Sequence, residues 1–110
     1  MTRSARRIFA TAVAIYCGAL CFPAVAEDFV VSQKGRVFEP GELHIKAGDT
    51  VHIENDDAVL HHVYIESPTM EFDSGEQPPG RRVSIKFPRA GVFDVQCDIH
   101  PKMLLKVTVE

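Results

Sequence analysis

The chain has 110 residues, with 12 Lys and Arg against 15 Asp and Glu. That length is enough for one small domain, and the balance lacks the basic surplus that holds nucleic acid. Arg3, Arg6 and Arg7 precede an apolar run over residues 8–22, and Ala24, Val25 and Ala26 follow it. A basic start, an apolar centre and a small-x-small site predict an export signal over residues 1–26, cut before Glu27. The run is too short to cross a bilayer comfortably, so no membrane span is expected in the product. The Arg6-Arg7 pair matches a twin-arginine signal only in part, which leaves the export route open. Neither Cys17 nor Cys21 follows the small residues of a lipoprotein cleavage site, which argues against a lipid anchor.

The expected mature domain, residues 27–110, is a monomer in the periplasm. Losing the three arginines leaves nine basic residues against 15 acidic ones, a net charge of −6. That charge keeps a small protein soluble and gently favours a basic partner. Cys97 is the one cysteine left, so no internal disulfide can form, and its neighbours decide what the thiol does.

In chain order, β-rich runs fall at residues 29–32, 43–46, 50–54, 62–65, 82–87, 91–96 and 104–109. Pro40-Gly41, Ala47-Gly48-Asp49, Ser74-Gly75, Pro78-Pro79-Gly80 and the turn before Gly91 separate them with residues that suit turns. In residues 50–54 and 82–87 apolar and polar side chains alternate, the mark of strands with one buried face. No run has the length or period of a substantial helix. The pattern predicts an all-β, Greek-key β-sandwich of about seven to eight strands. Residues 67–80 form the longest irregular stretch and are expected to cross between sheets, with room for one short element.

Chemistry concentrates near the C-terminus. A strand delivers Cys97, a tight loop carries His100 and Met103, and the next strand starts directly after. The spacing Cys-x-x-His-x-x-Met gathers a thiolate, an imidazole and a thioether about one point. A second imidazole comes from the segment running from Asn55 to Val63, where one strand ends and His61-His62 opens the next. Two imidazoles, a thiolate and a weak thioether are the set that favours copper and suits Cu(I)/Cu(II) exchange. Zinc would take the Cys and His but gains little from Met. Each residue alone has an ordinary reading: Cys97 a buried thiol, Met103 core filler, a strand-end histidine a surface group. Their joint spacing in one β-sandwich is what points to a metal.

At these residues the chain resembles the cupredoxins, the type 1 copper proteins, most nearly the amicyanin, pseudoazurin and plastocyanin branches. The resemblance runs from Phe38-Glu39-Pro40 through Ala47 to Val51 and Asn55 to Val63, and is most specific over Cys97 to Met103. It implies His61, Cys97 and His100 as equatorial ligands of one copper ion and Met103 as the axial one. It also places Asn55 before the first ligand loop and Phe93 in the strand leading to Cys97. The implied function is one-electron transfer between transient redox partners, such as a cytochrome or a dehydrogenase. An alternative within the same ligand set is copper tolerance, storage or delivery.

One departure stands out. Where amicyanin-like chains carry asparagine after the first histidine ligand, this chain has His62, which loses a side-chain tie between the ligand loops. His62 is also a competitor for His61, although alternation sends the two to opposite faces. Met70 is a candidate for reaching the site as an alternative axial donor, with a core-edge position as its plainer reading. His44 and His52 are expected to face water. A Cys97/His100 nucleophile and base pair lacks an orienting group, so an enzyme is not expected. Leu60, Pro101 and Met103 are expected to form an apolar ring about His100.

Overall fold

The computed structural model describes residues 25–110, and the export-signal reading of residues 1–26 lies almost wholly outside the described residues. The described residues form nine strands: β1 (Asp28–Gln33), β2 (Phe38–Glu39), β3 (Glu42–Ile45), β4 (Thr50–Asn55), β5 (Val63–Ser67), β6 (Met70–Asp73), β7 (Arg82–Lys86), β8 (Gly91–Cys97) and β9 (Leu104–Val109). The seven expected strands all occur, within two residues at each end. The two additions are β2, only two residues long, and β6, inside the stretch expected to cross between sheets. That stretch first folds back: Ser67 pairs with Met70 and Tyr64 with Asp73, and the Ser67 hydroxyl accepts the Met70 N–H at 3.0 Å. The crossing itself falls in the residues after Asp73, where Gly75 and Gly80 take φ of 69° and 85°, values that favour glycine.

Two sheets form the sandwich, in the orders β2-β1-β4-β7 and β3-β9-β8-β5-β6. Both are mixed, because β1 runs parallel to β4 and β3 runs parallel to β9. The chain changes sheet between β2 and β3, β3 and β4, β4 and β5, β6 and β7, and β7 and β8, and these crossings leave β1 beside β4 and β3 beside β9.

Alternation carries the core and delivers the site with it. Val51, Ile53 and Asn55 form the inward row of β4, Phe93, Val95 and Cys97 that of β8, and Leu105, Val107 and Val109 that of β9. Each fully buried aliphatic or aromatic side chain contributes about 1.5–3 kcal/mol. Phe87 and Phe93 add a tilted ring contact at 5.8 Å. The row on β8 ends on a thiol and the row on β4 on an amide, so the core becomes polar at one end. No helix among the described residues is long and apolar enough to cross a membrane.

Candidate metal centre

Register brings the ligand loops together. Cys97, the last residue of β8, lies opposite Val63, the first of β5, so His61 stands two residues from the pairing that holds Cys97. The Asp98 N–H donates to the His62 carbonyl at 2.9 Å, and the Met103 N–H to the His100 carbonyl at 3.0 Å. The first bond ties the two loops; the second closes the turn that carries His100. His61 is held from the other side by Gln77, which exchanges both backbone bonds with it, at 2.7 and 3.1 Å. The bond between the loops is a backbone one and does not depend on the side chain at position 62.

His61, Cys97 and His100 offer three donor atoms to one point. The Cys97 Sγ lies 3.6 Å from His61 Nδ1 and 3.7 Å from His100 Nδ1, and the two nitrogens are 3.2 Å apart. A point equidistant from all three is about 2.0 Å from each, close to metal–nitrogen bonds of about 2.0–2.1 Å and a little under the metal–thiolate length of about 2.3 Å. The donor set therefore fits a copper ion in both chemistry and size. His61 is fully buried and Cys97 nearly so, while His100 is partly exposed. Met103 is buried beneath the loop and lines the same cleft as His100.

Asp57 sets the direction of His61. Its Oδ2 lies 2.8 Å from His61 Nε2, and because a carboxylate only accepts, that nitrogen carries the proton. In the neutral ring the Nδ1 lone pair is then free to face Cys97 and His100. Burial pushes the Asp57 carboxyl up, but the Arg36 N–H, the His61 ring and the Gly35 N–H outweigh it and hold the group below its ordinary value. Asn55 steadies this loop: its amide donates to the carbonyls of Val59 and Gln77 at 2.9 and 2.8 Å, and its Oδ1 accepts the Asp57 N–H at 2.9 Å. His100 is held below the ordinary histidine value by burial first, then by His61 and Arg36.

The other candidates fall away from this point. The His62 ring turns to Asp73, 2.6 Å from its Oδ1 and partly in solvent, so it does not replace His61. Met70 pairs with Ser67, at the end of β5 remote from His61, and packs on the core, so it is no axial donor. His44 is exposed as expected. His52 is only partly so, bonding Ser84 Oγ at 2.7 Å and Asp28 at 3.2 Å. The apolar setting expected around His100 is present, with Ile99, Pro101 and Met103 lining its cleft alongside Arg36 and Lys102, but Leu60 takes no part in it.

A chain with this sandwich and this donor triangle is a cupredoxin. The family model described as a cupredoxin-like domain matches residues 7–109, and the chain belongs to that family of small copper proteins of electron transport. It is 36% identical to amicyanin of Paracoccus denitrificans over 90 residues, 78% of this chain and 69% of that protein. It is also 36% identical to amicyanin-alpha of Methylorubrum extorquens over 110 residues, 93% of this chain and 90% of the relative. A solved structure of a reduced amicyanin variant superposes with a TM-score of 0.70 at 32% identity, covering 76% of this chain and 82% of its own. His61, Cys97 and His100 are positioned to bind one copper ion.

Sequence reasoning passed over Asp57, Gln77 and Arg36. An acid four residues before a ligand histidine on one loop is a usable signal for Asp57. Gln77 reaches the site on the crossing between β6 and β7 and Arg36 on the turn between β1 and β2, and neither carries a local mark.

Proposed function

We propose that this chain is an exported one-electron carrier of the periplasm, with residues 1–26 as its cleaved signal and residues 27–110 as the working domain. His61, Cys97, His100 and Met103 would hold one copper ion. Bound copper supplies the Cu(I)/Cu(II) couple through which a single electron is taken up and given back. The observation that carries this reading is the donor triangle, whose centre stands about one metal bond length from each atom.

The chain's own groups do the rest. Asp57 keeps the His61 proton on Nε2. The loop bonds from Asp98 and Met103 hold Cys97, His100 and Met103 in one arrangement, so the ligands need little movement between oxidation states. Burial of His61 and Cys97 keeps water from two of the donors, while His100 reaches the surface and offers the short path to a partner. Four donors leave no open position of the kind a redox enzyme uses, and no catalytic role is assigned. The partners are redox proteins that dock briefly, and the carrier works as a monomer.

Loading the purified protein with copper and replacing Cys97→Ser tests the ligand set. Intense visible absorption in the parent and its complete loss in the variant is the expected result; a C97S protein that stayed strongly coloured would sink it. Carrier and copper-delivery roles separate by voltammetry and transfer assays. Reversible response and fast exchange with a haem protein mark the carrier. Tight Cu(I) binding with hand-over to an apo-protein marks delivery.

A further inference from the structure

The cleft beside His100 has a volume of about 450 Å³ and is lined by Arg36, Ile99, His100, Pro101, Lys102 and Met103. Its two charged members that are not metal-ligand candidates are both cations. Ile99 is 42% exposed, and Arg36, Pro101 and Lys102 are exposed beside it. Among the described residues no carboxylate stands within ion-pairing distance of Arg36 or Lys102, whereas Arg82 is paired with Glu54.

The acid nearest Arg36 is turned to other work. Both Asp57 oxygens are engaged, by the Gly35 and Arg36 N–H groups and by His61. Asp56 accepts from the Ser32 hydroxyl, and Asp98, exposed on the same loop, does not line the cleft. The Arg36 backbone is also fixed in place: its φ of 58° is left-handed, and Asp57 Oδ2 holds its N–H at 3.0 Å.

We infer that this face docks a redox protein whose exposed cofactor edge is rimmed by carboxylates, gripped by Arg36 and Lys102 around the apolar contact of Ile99 and Pro101. The inference rests on the carrier reading and names the partner that reading leaves open. The chain beyond the signal is acidic overall, which would suggest a basic partner. Screening decides against that suggestion: at physiological ionic strength charges are felt over about 8 Å, so the face in contact outweighs the rest of the molecule. Encounter rates and partner choice follow such local complementarity.

The test uses the copper-loaded, reduced protein and two one-electron oxidants of opposite charge, hexacyanoferrate(III) and tris(phenanthroline)cobalt(III). One electron leaves the protein and converts the first to hexacyanoferrate(II), or the second to its cobalt(II) form. The ratio of the two rates cancels any change in driving force between variants. Replacing Arg36→Gln and Lys102→Gln together should lower the anion-to-cation rate ratio by about tenfold. Replacing Lys46→Gln and Lys86→Gln removes the same charge elsewhere and should leave the ratio within about twofold. Saturating, salt-sensitive exchange with an acidic-rimmed b-type cytochrome, weakened in the first variant, would support the proposal at the level of a protein partner. An equal fall in ratio for both variants, or none in either, overturns it. Failure of the parent to reduce either complex instead overturns the carrier reading, and this inference with it.

Discussion

Two carboxylates close opposite ends of β4, and they do related work for different purposes. Asp49, just before Thr50, accepts the N–H groups of Glu27 and Lys46, both at 2.8 Å. Asp57, two residues after Asn55, accepts those of Gly35 and Arg36. Because β1 lies parallel to β4, each acid pins the chain at one end of β1, Glu27 before it and Gly35-Arg36 after it. Both carboxyls sit below their ordinary value, Asp49 chiefly through the Glu27 and Lys46 N–H groups and Asp57 against the opposing pull of burial. The difference is His61. At one end the carboxylate only fastens backbone, whereas at the other it also orients a metal-binding ring, so a structural device has become part of the centre.

The largest break in that comparison comes from removing each acid in turn. Asp57→Ala should weaken copper binding by about 10–100-fold, the usual cost of losing the partner of a ligating histidine. Asp49→Ala should leave copper affinity unchanged while lowering the urea midpoint of the apo-protein. Competition titration with a chelator and denaturant unfolding read the two effects. Equal losses of affinity in both variants would show that Asp57 acts through the fold alone.

A smaller effect is expected at Gln33, the last residue of β1 and the neighbour of Asn55 in register. Its side chain is fully buried, and neither amide atom has a hydrogen-bond partner among the described residues. An orphaned buried polar group costs about 1–3 kcal/mol, so Gln33→Met, which keeps the length and drops the amide, should raise apo-protein stability by about 1–2 kcal/mol. An unchanged or lower midpoint would mean that the amide is satisfied in solution.

The smallest effect is the pH response that the two ends share. Asp49, Asp57 and Asp73 are all held below the ordinary value of 3.8, Asp73 mainly by the Gly75 N–H and then by His62. Acids of this kind release protons on folding, so their stabilisation is present above the unfolded pKa and drains away as pH falls through the folded one. Apo-protein stability should therefore be level for these groups near neutrality and fall below about pH 4. Asp49→Asn should make that acid limb shallower. Urea midpoints between pH 2.5 and 6 would show it, and an unaltered limb would remove Asp49 from the account.

Much of the fold could be read along the chain because alternation is a local property. The period of two in residues 50–54 and 82–87 marked strands β4 and β7, and the same alternation on β8 put Cys97 on the buried face. The loop from Cys97 to Met103 was legible for a related reason: its spacing confines Cys97, His100 and Met103 to one short turn, and no distant contact is needed to bring them close. β6 was missed because Met70-Glu71-Phe72-Asp73 sits among prolines, glycines and acids, and becomes a strand only by pairing with β5.

Length, β-sandwich class and the placing of His100 beside Cys97 were thus determined by sequence alone, since each depends on neighbours a few residues apart. Tertiary structure decided the rest. It separated His61 from His62 by sending one to Asp57 and the other to Asp73. It joined the two ligand loops by a backbone bond from Asp98 to the His62 carbonyl. It also brought Arg36, 64 residues from His100 along the chain, to the rim of the same cleft. These are consequences of sheet order and register, which join segments whose sequences hold no record of one another.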